Sequence, residues 1–473
     1  MRKLHLLLGI LLLTITVNAQ INTFDLSSYK LPDIKRHQLD INAGFDGGNK
    51  YYDSYQRLDS DYTEKSNGIG GDFGIGYRFY RNSENYQGNQ YVGIGLRSDY
   101  SDERDEDGYV GEELYFSNNF QINSNNRFYM NNKFFLESDL LFTQYYSKSD
   151  ENYDLNNVEN INKDLSLNVR LGLGYGRIEE VQDAWLATYI LKDLQENGKL
   201  TRTPTNEEIL EFSSLISQLK NERFFDARLQ KIKEIEEVDK FLQSKNLIEN
   251  ADARYFTAVN DNWDNAATQI RTSGNRLSFL IIPYIKSSSN FYEIDNLSIV
   301  YTTDRNITEY KVQALLILNN AKPIDLHWQR SFSVSLSGNY MKGLYKTIYD
   351  DINNETEISS PQLISMLDYI IKYYPNSRTN LSMGAYINFK NYFGKEEIDN
   401  IENDINHLNI TPGINFSLNY YISPQLMLDA SYNIYYDYTE SNSNYYEHVD
   451  NDDFIKRNQF NQSISIGFKY QIF

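Results

Sequence analysis

Glu103, Asp105 and Asp107 alternate ahead of Gly108. A calcium loop of the EF-hand kind opens this way, with carboxylates at every second position and a glycine for the sharp turn. Such a loop needs a bidentate glutamate at its twelfth position, and here that residue is Leu114. The expectation is a solvated acidic loop, with loose divalent-cation binding by Glu103, Asp105 and Asp107 as the weaker alternative. His448 stands among Glu447, Asp450, Asp452 and Asp453, while His37, His327 and His407 are scattered and form no HExxH pair. No GxSxG elbow occurs, and Gly68-Ile69-Gly70-Gly71 has no helix after it to complete a phosphate cradle. With no cysteine in 473 residues, thiolate metal sites, disulfides and cysteine nucleophiles are excluded. The chain is expected to be neither an enzyme nor a cofactor carrier.

The remaining candidate charges are Asp40, Asp72, Arg78, Arg97, Lys133, Glu137, Asp139 and Arg170, and their setting gives them meaning. Most lie within stretches of about ten residues whose apolar side chains recur at every second position, the period of a strand with two different environments. From Leu165 to Tyr175 the odd positions are Leu165, Leu167, Val169, Leu171, Leu173 and Tyr175, and the even ones are Ser, Asn, Arg and Gly. From Leu408 to Tyr420 the even positions are apolar, or Pro412, and the odd ones are Asn, Thr, Gly and Ser. Residues 39–45, 69–79, 92–96, 332–340, 381–389, 426–436 and 464–472 repeat the pattern. A second face rich in Gly, Asn, Ser and charge suits a water-filled interior and not a packed soluble core. The eight charges are therefore expected to face a lumen. They would either form a constriction that selects solutes or pair across the interior to stabilise the wall.

Formal charge is −20, which disfavours nucleic acid as a partner. Mean hydropathy is −0.59 and no long apolar run follows the first 20 residues, so a bundle of spanning helices is excluded. Forty tyrosines and 25 phenylalanines suit strands and membrane interfaces. Arg2 and Lys3, an apolar core from Leu6 to Leu13 and Val17-Asn18-Ala19 predict an export signal over 1–19. An N-terminal extension over 20–35 precedes strands 1–6 at 36–177.

Short connectors near 124–126, 322–325, 375–377 and 423–424 alternate with long polar segments near 47–67, 100–110, 148–162, 288–308, 344–358, 392–406 and 440–458. This is the phase of short periplasmic turns and long outer loops. Acidic runs in those loops, Asp350-Asp351 and Asp452-Asp453 among them, predict an acidic outer rim.

The strand period breaks over 178–268, where helical stripes appear: Trp185, Tyr189 and Ile190, then Ile209, Phe212, Ile216 and Leu219, then Leu229, Ile232, Val238 and Leu242. Thr205 and Glu208 make a capping box, and Gly198 suits a helix end. These helices are expected to form a small subdomain projecting into the periplasm, where residues 179–266 could meet a partner. Strands 7–14 follow over 269–473. Residues 362–374 could be a helix capped by Ser360-Pro361, but an even strand count favours a strand. The expected fold is an all-β antiparallel up-and-down barrel of 14 strands, with 12 or 16 as alternatives; Pro412 is expected to mark a bulge.

On these features the chain resembles the outer-membrane β-barrel proteins of Gram-negative bacteria, everywhere except the leader and the helices. Its end, with Phe468, Tyr470 and Phe473, is similar to the aromatic last strand that barrel-assembly machinery recognises, although Phe473 falls out of phase with Phe468 and Tyr470. The ending Asn18-Ala19-Gln20 and the abundance of Tyr and Asn resemble Bacteroidota proteins. The resemblance implies outer-membrane location, with membrane lipid and lipopolysaccharide as surroundings. A passive, porin-like channel for small solutes is the leading expectation. A surface scaffold binding ligands by outer loops, or an export-pathway component, is the alternative. Too few residues precede the first strand for the plug of an energised receptor.

Overall fold

A computed structural model describes residues 24–55, 61–105, 110–131, 133–153, 156–221, 227–266, 270–296, 299–349, 352–398, 401–423, 426–441 and 455–470. The leader, Asp107, His448, Asp350-Asp351, Asp452-Asp453 and Phe473 lie outside them. The chain forms one antiparallel sheet of fourteen strands in sequence order, each paired with its neighbours. Six strands come first: β1 (Ile34–Tyr55), β2 (Asp61–Ser83), β3 (Tyr86–Asp105), β4 (Val110–Tyr129), β5 (Phe134–Tyr153) and β6 (Asn156–Glu180). After the helices follow β7 (Thr272–Asn296), β8 (Ile299–Pro323), β9 (Trp328–Tyr349), β10 (Ile352–Asn376), β11 (Thr379–Ile398), β12 (Ile401–Tyr421), β13 (Leu426–Ser441) and β14 (Ile455–Tyr470). The expected count of 14 holds, and 362–374 is strand within β10. Among the described residues β1 and β14 are not paired with each other, so the sheet has two free edges.

Two expectations need correction. The polar segments taken for long loops are mostly strand: β5 runs to Tyr153 and β6 starts at Asn156, while β11 runs to Ile398 and β12 starts at Ile401. Apolar alternation reports an apolar medium on one face, whereas ladder hydrogen bonds continue where both faces are wet. The sequence pattern therefore stops before the strand does. Ser124-Asn125-Asn126 likewise lies inside β4, and the turn follows Tyr129. Pro412 makes no bulge: the β12–β13 pairs Ile410–Tyr438 and Gly413–Tyr435 keep one register across it. The proline omits a ladder step without shifting the strands.

One face of the sheet is an apolar belt and the other is polar. Leu39, Ile41 and Phe45 of β1, Ile94 of β3, Leu171 of β6 and Ile464 and Phe468 of β14 are all exposed. Along β7 the apolar Leu277, Phe279 and Ile281 are exposed, while Ser278, Leu280 and Ile282 on the other face are buried. The sheet therefore curls with its polar face inward. β6 and β7 approach closely, and a Cβ on Gly172 would come within 2.0 Å of the Phe279 carbonyl oxygen. Only glycine allows the neighbouring backbone so close. The inner face is not uniformly polar, since Leu280, Leu315 and Ile364 share one register row through β7, β8 and β10.

Between β6 and β7 stand four helices, α1 (Gln182–Glu196), α2 (Asn206–Asn221), α3 (Ala227–Ser244) and α4 (Ala253–Ala266). Gly198, at φ 64°, ends α1 in a Schellman turn: its N–H donates to Gln195 O and the Lys199 N–H to Leu194 O. The capping box forms, with Thr205 N–H donating to Glu208 Oε2 at 2.8 Å and Glu208 N–H to Thr205 Oγ1 at 3.2 Å. Arg202 also clamps the Glu208 carboxylate, holding it well below the usual range, at about 2. α1 is central, with Trp185, Leu186, Ile190 and Leu194 buried between α2, α4 and the sheet end. No helix among the described residues is long and apolar enough to cross a membrane, which says nothing of strands.

The helices pack on the end of the sheet as well as on one another. Their core also takes in Leu26, Tyr29, Leu31 and Ile34 from the N-terminal segment, Leu326 from the β8–β9 turn and Tyr374 of β10. The 3-10 turn Leu26–Ser28 packs against β7 and β8, yet β1 begins at Ile34. The segment between is thus a strap running from one side of the curled sheet to its first strand.

Candidate functional site

Two features at or near the helical end have geometry beyond that of a plain wall. One is the polar inner face and its ion pairs; the other is the clasp that holds the helices to the sheet.

On the inner face the expected charges fall into two groups. Asp40 and Arg78 approach to 3.8 Å on β1 and β2. Asp72 is the register partner of Arg97, but the Arg97 guanidinium turns along its own strand to grip Asp99 with two 2.7 Å hydrogen bonds and lies 3.5 Å from Asp46. On β5, buried Glu137 accepts from Arg127 at 2.6 Å and from the Ser278 hydroxyl at 3.0 Å. Buried Asp139 accepts from the Asn126 N–H at 3.2 Å and faces Arg170 in register. These seven share the polar face.

Lys133 departs from the expectation. It precedes β5 in the turn, and its ammonium lies 6.0 Å from the ring of Tyr175, a residue of the exposed apolar row. Arg127, Asp46 and Asp99 complete the pairs and were not singled out in the sequence. They lie in polar stretches outside the clean alternation, so no local signal marked them.

The two acidic residues of the triplet that the structure describes stand in a strand. Glu103 and Asp105 lie in β3, paired with Gly111 of β4 and Glu64 of β2 respectively, and Asp107 is outside the described residues. A strand sends alternate side chains to one face in a row, not around a central ion. Among the described residues no group of three His, Asp or Glu side chains is placed to hold a metal. Of the aromatic end signal, Phe468 is exposed on β14 with the apolar row, and Tyr470 is the last residue of the strand.

No family model matches the chain, and no curated protein does. Two solved structures align along its whole length. The translocator domain of autotransporter NalP from Neisseria meningitidis has 8% identity and a TM-score of 0.27, with 94% of that chain covered. The transport unit of the autotransporter AIDA-I from Escherichia coli has 7% identity and a TM-score of 0.22, with 97% covered. Neither is similar enough for any residue's role to be carried across.

The clasp centres on Arg271, between α4 and β7. Its guanidinium is fully buried, with no carboxylate paired to it among the described residues, and donates to Leu326 O at 2.7 Å, Asp325 O at 2.9 Å, Trp328 O at 2.8 Å and Gln329 Oε1 at 3.1 Å. It lies 4.9 Å from the Tyr374 ring and 5.6 Å from that of Trp185. Burial pulls its pKa down to about 10, opposed by Tyr374, Tyr189 and Asp325, so it remains cationic near neutrality. The Asp325 carboxylate accepts the N–H groups of His327 and Trp328, both at 2.7 Å, and so shapes the turn whose carbonyls Arg271 reads. Trp185 Nε1 donates to Leu326 O at 2.8 Å, and His327 Nδ1 donates to Tyr374 O at 2.8 Å.

Further ties reach other strand ends. Asp261 of α4 pairs with Arg378 at 3.1 Å in the β10–β11 turn, and Arg36 of β1 donates to Asn221 of α2 at 3.0 Å. Asn82 at the end of β2 reaches the strap carbonyls of Leu31 and Pro32, and Arg177 of β6 donates to the Ser83 and Glu84 carbonyls. Helices and strap are therefore anchored at β1, β2, β8–β9 and β10–β11.

Proposed function

We propose that the chain is an outer-membrane β-barrel that passes small polar solutes along its inner face, with the helices and the N-terminal strap as a cap on its periplasmic mouth. One arrangement carries the reading: a fourteen-stranded meander with an apolar belt outside and polar residues inside, tied across one end by helices. Soluble monomers rarely expose apolar patches beyond a few hundred Å². This belt runs from β1 to β14, and lipid is the medium that would cover it. A bilayer needs about 9–11 residues per tilted strand. Strands of 16 to 25 residues would therefore stand well clear of it as a polar wall. Closure would come from β1 meeting β14, which run antiparallel in this order.

The cap bears on how such a channel would open. Anchors at β1 and at β8–β11 are about half the strand order apart, so in a closed barrel they would face each other across the mouth. Passage would then need the cap to shift, and a periplasmic partner of residues 179–266 would act by shifting it. Phe468, Tyr470 and Phe473 would be read by barrel-assembly machinery, and acidic outer residues would meet lipopolysaccharide through divalent cations.

Single-channel recording on the refolded chain tests the proposal. Small steps that grow when the clasp is loosened by Arg271→Met are expected. A non-conducting barrel in both forms that captures a periplasmic protein through residues 179–266 would favour the scaffold reading. Recovery of the processed chain as a freely dissolved species would refute membrane insertion.

A further inference from the structure

We propose that the inner wall of β1–β5 carries a binding trough for neutral polyhydroxylated solutes, such as a segment of an oligosaccharide. The inference rests on the channel reading, since it names the class of solute that the inner face would hold.

The trough has a volume of about 680 Å³. Its lining includes three primary amides, Asn42 of β1 and Asn119 and Gln121 of β4. All three are exposed on the polar face, and none of their side chains hydrogen-bonds another described residue. An amide offers a donor and an acceptor together, as a sugar hydroxyl does, so each can serve a hydroxyl in either sense. Only two charged residues line the trough, Asp40 and Arg78, and they are of opposite sign. A chain of formal charge −20 thus lines this trough with no net charge, which suits a neutral guest over an ion.

Gly74 pairs with Gly95 and Gly76 with Gly93 in register, and this glycine block is overlain by the Asn42, Asn119 and Tyr91 side chains: a Cβ on Gly74 would lie 2.6 Å from Asn42 Oδ1 and one on Gly95 2.4 Å from Asn119 Oδ1. A Cβ on Gly93 would lie 2.2 Å from the Tyr91 hydroxyl and one on Gly76 3.0 Å from the Tyr91 ring. The tyrosine therefore lies along the wall instead of standing into the trough. The Arg78 guanidinium sits 5.4 Å from the Tyr91 ring centroid, so a ring, a cation and a carboxylate converge at one end.

Titration calorimetry on the detergent-refolded full chain tests this without requiring conduction. The probe is a linear hexamer of glucose, with an uncharged polyethylene glycol of similar length and a hexamer of a uronic acid as controls. Saturable binding of the glucose hexamer alone is expected. The triple variant Asn42→Ala, Asn119→Ala, Gln121→Ala should bind at least about tenfold more weakly, with unchanged β-sheet circular dichroism. Gly93→Val, whose side chain would push the Tyr91 ring off the wall and into the trough, should have the same effect. No binding of the glucose hexamer, equal binding of the glycol, or an unaffected triple variant would overturn the trough. Membrane fractionation reports separately on the channel reading, so the two can fail independently.

Discussion

The clasp gives the sharpest prediction, because its acceptors can be accounted for one by one. In Arg271→Met the Leu326 carbonyl keeps its bond from Trp185 Nε1, and the Trp328 carbonyl keeps that from the Ile324 N–H at 2.9 Å. The Asp325 carbonyl and Gln329 Oε1 lose the guanidinium, at about 1–3 kcal/mol each. Loss of the stacking on Tyr374 and Trp185 adds about 1 kcal/mol. Against this stands desolvation: burial lowers the guanidinium from 12.5 to about 10, a penalty of about 3 kcal/mol that methionine avoids. The balance is about 2 kcal/mol in favour of arginine, or roughly a 30-fold shift in the docked population of the cap. Arg271→Lys should be worse, since an ammonium is dearer to bury and cannot span four acceptors in a plane. Limited proteolysis of residues 182–266 in vesicles reads the open population when closing is fast. Cleavage should accelerate by about 30-fold in the methionine variant and more in the lysine variant. Equal rates in all three proteins, or lysine behaving as arginine, would refute the account of the clasp.

Asp183, buried in the first turn of α1, has its pKa raised above 3.8 chiefly by burial, with Ser217 and Lys220 opposing. A carboxyl raised on folding favours the folded state below its unfolded value and loses that advantage as pH rises through its folded one. The helical circular-dichroism signal should therefore resist urea better as pH falls from 7 towards 4, and Asp183→Asn should flatten that dependence; an unchanged slope would remove Asp183 as its source. Barrel closure is accessible because the chain has no cysteine. Cysteines at Ala43 and Ile464 should cross-link on mild oxidation, in a register that sets Ile41 against Ile466 and Leu39 against Phe468. No disulfide there or one step along either strand would mean that the edges stay apart. Arg97→Ala strips the counter-charge from Asp46 and Asp99 and should move the reversal potential towards cations; an unmoved potential would take this pair out of the conduction path.

What was legible in the sequence follows from what each medium imposes. The belt was readable because lipid or water on one face selects Leu, Ile and Phe at every second residue, as from Leu165 to Tyr175. Strand ends were not readable, because a ladder wet on both faces leaves no alternation, as in β5 beyond Lys148. Helix ends were readable where the cap is a local side-chain event, as with Thr205, Glu208 and Gly198. The docking of the helices was not. Leu26, Tyr29 and Leu31 sit in a strap too short to show a period, and Arg271 binds turn carbonyls that every sequence possesses. Buried Trp185 and Tyr374, which flank that arginine, have the size of side chains at a packed junction.

The inner charges were expected either to form a constriction or to pair across the interior; the ion pairs among them lie between near neighbours in the wall. Arg97 binds Asp99 two residues away, Arg127 binds Glu137 on the adjacent strand, and Arg78 leans towards Asp40 on its neighbour. Each pair runs along the wall. A pair held within the wall keeps its charges close, so its field falls off steeply a few ångströms into the interior, more steeply still in salt. Selection along β1–β5 would then depend less on net charge than on hydrogen bonding at short range. The unspent amides of Asn42, Asn119 and Gln121 are the groups placed to supply it. Freeing a single charge, as Arg97→Ala does, should therefore change ion preference without touching sugar binding, whereas the amide variants should do the reverse. That double dissociation separates a wall that sorts by charge from one that sorts by hydroxyl groups.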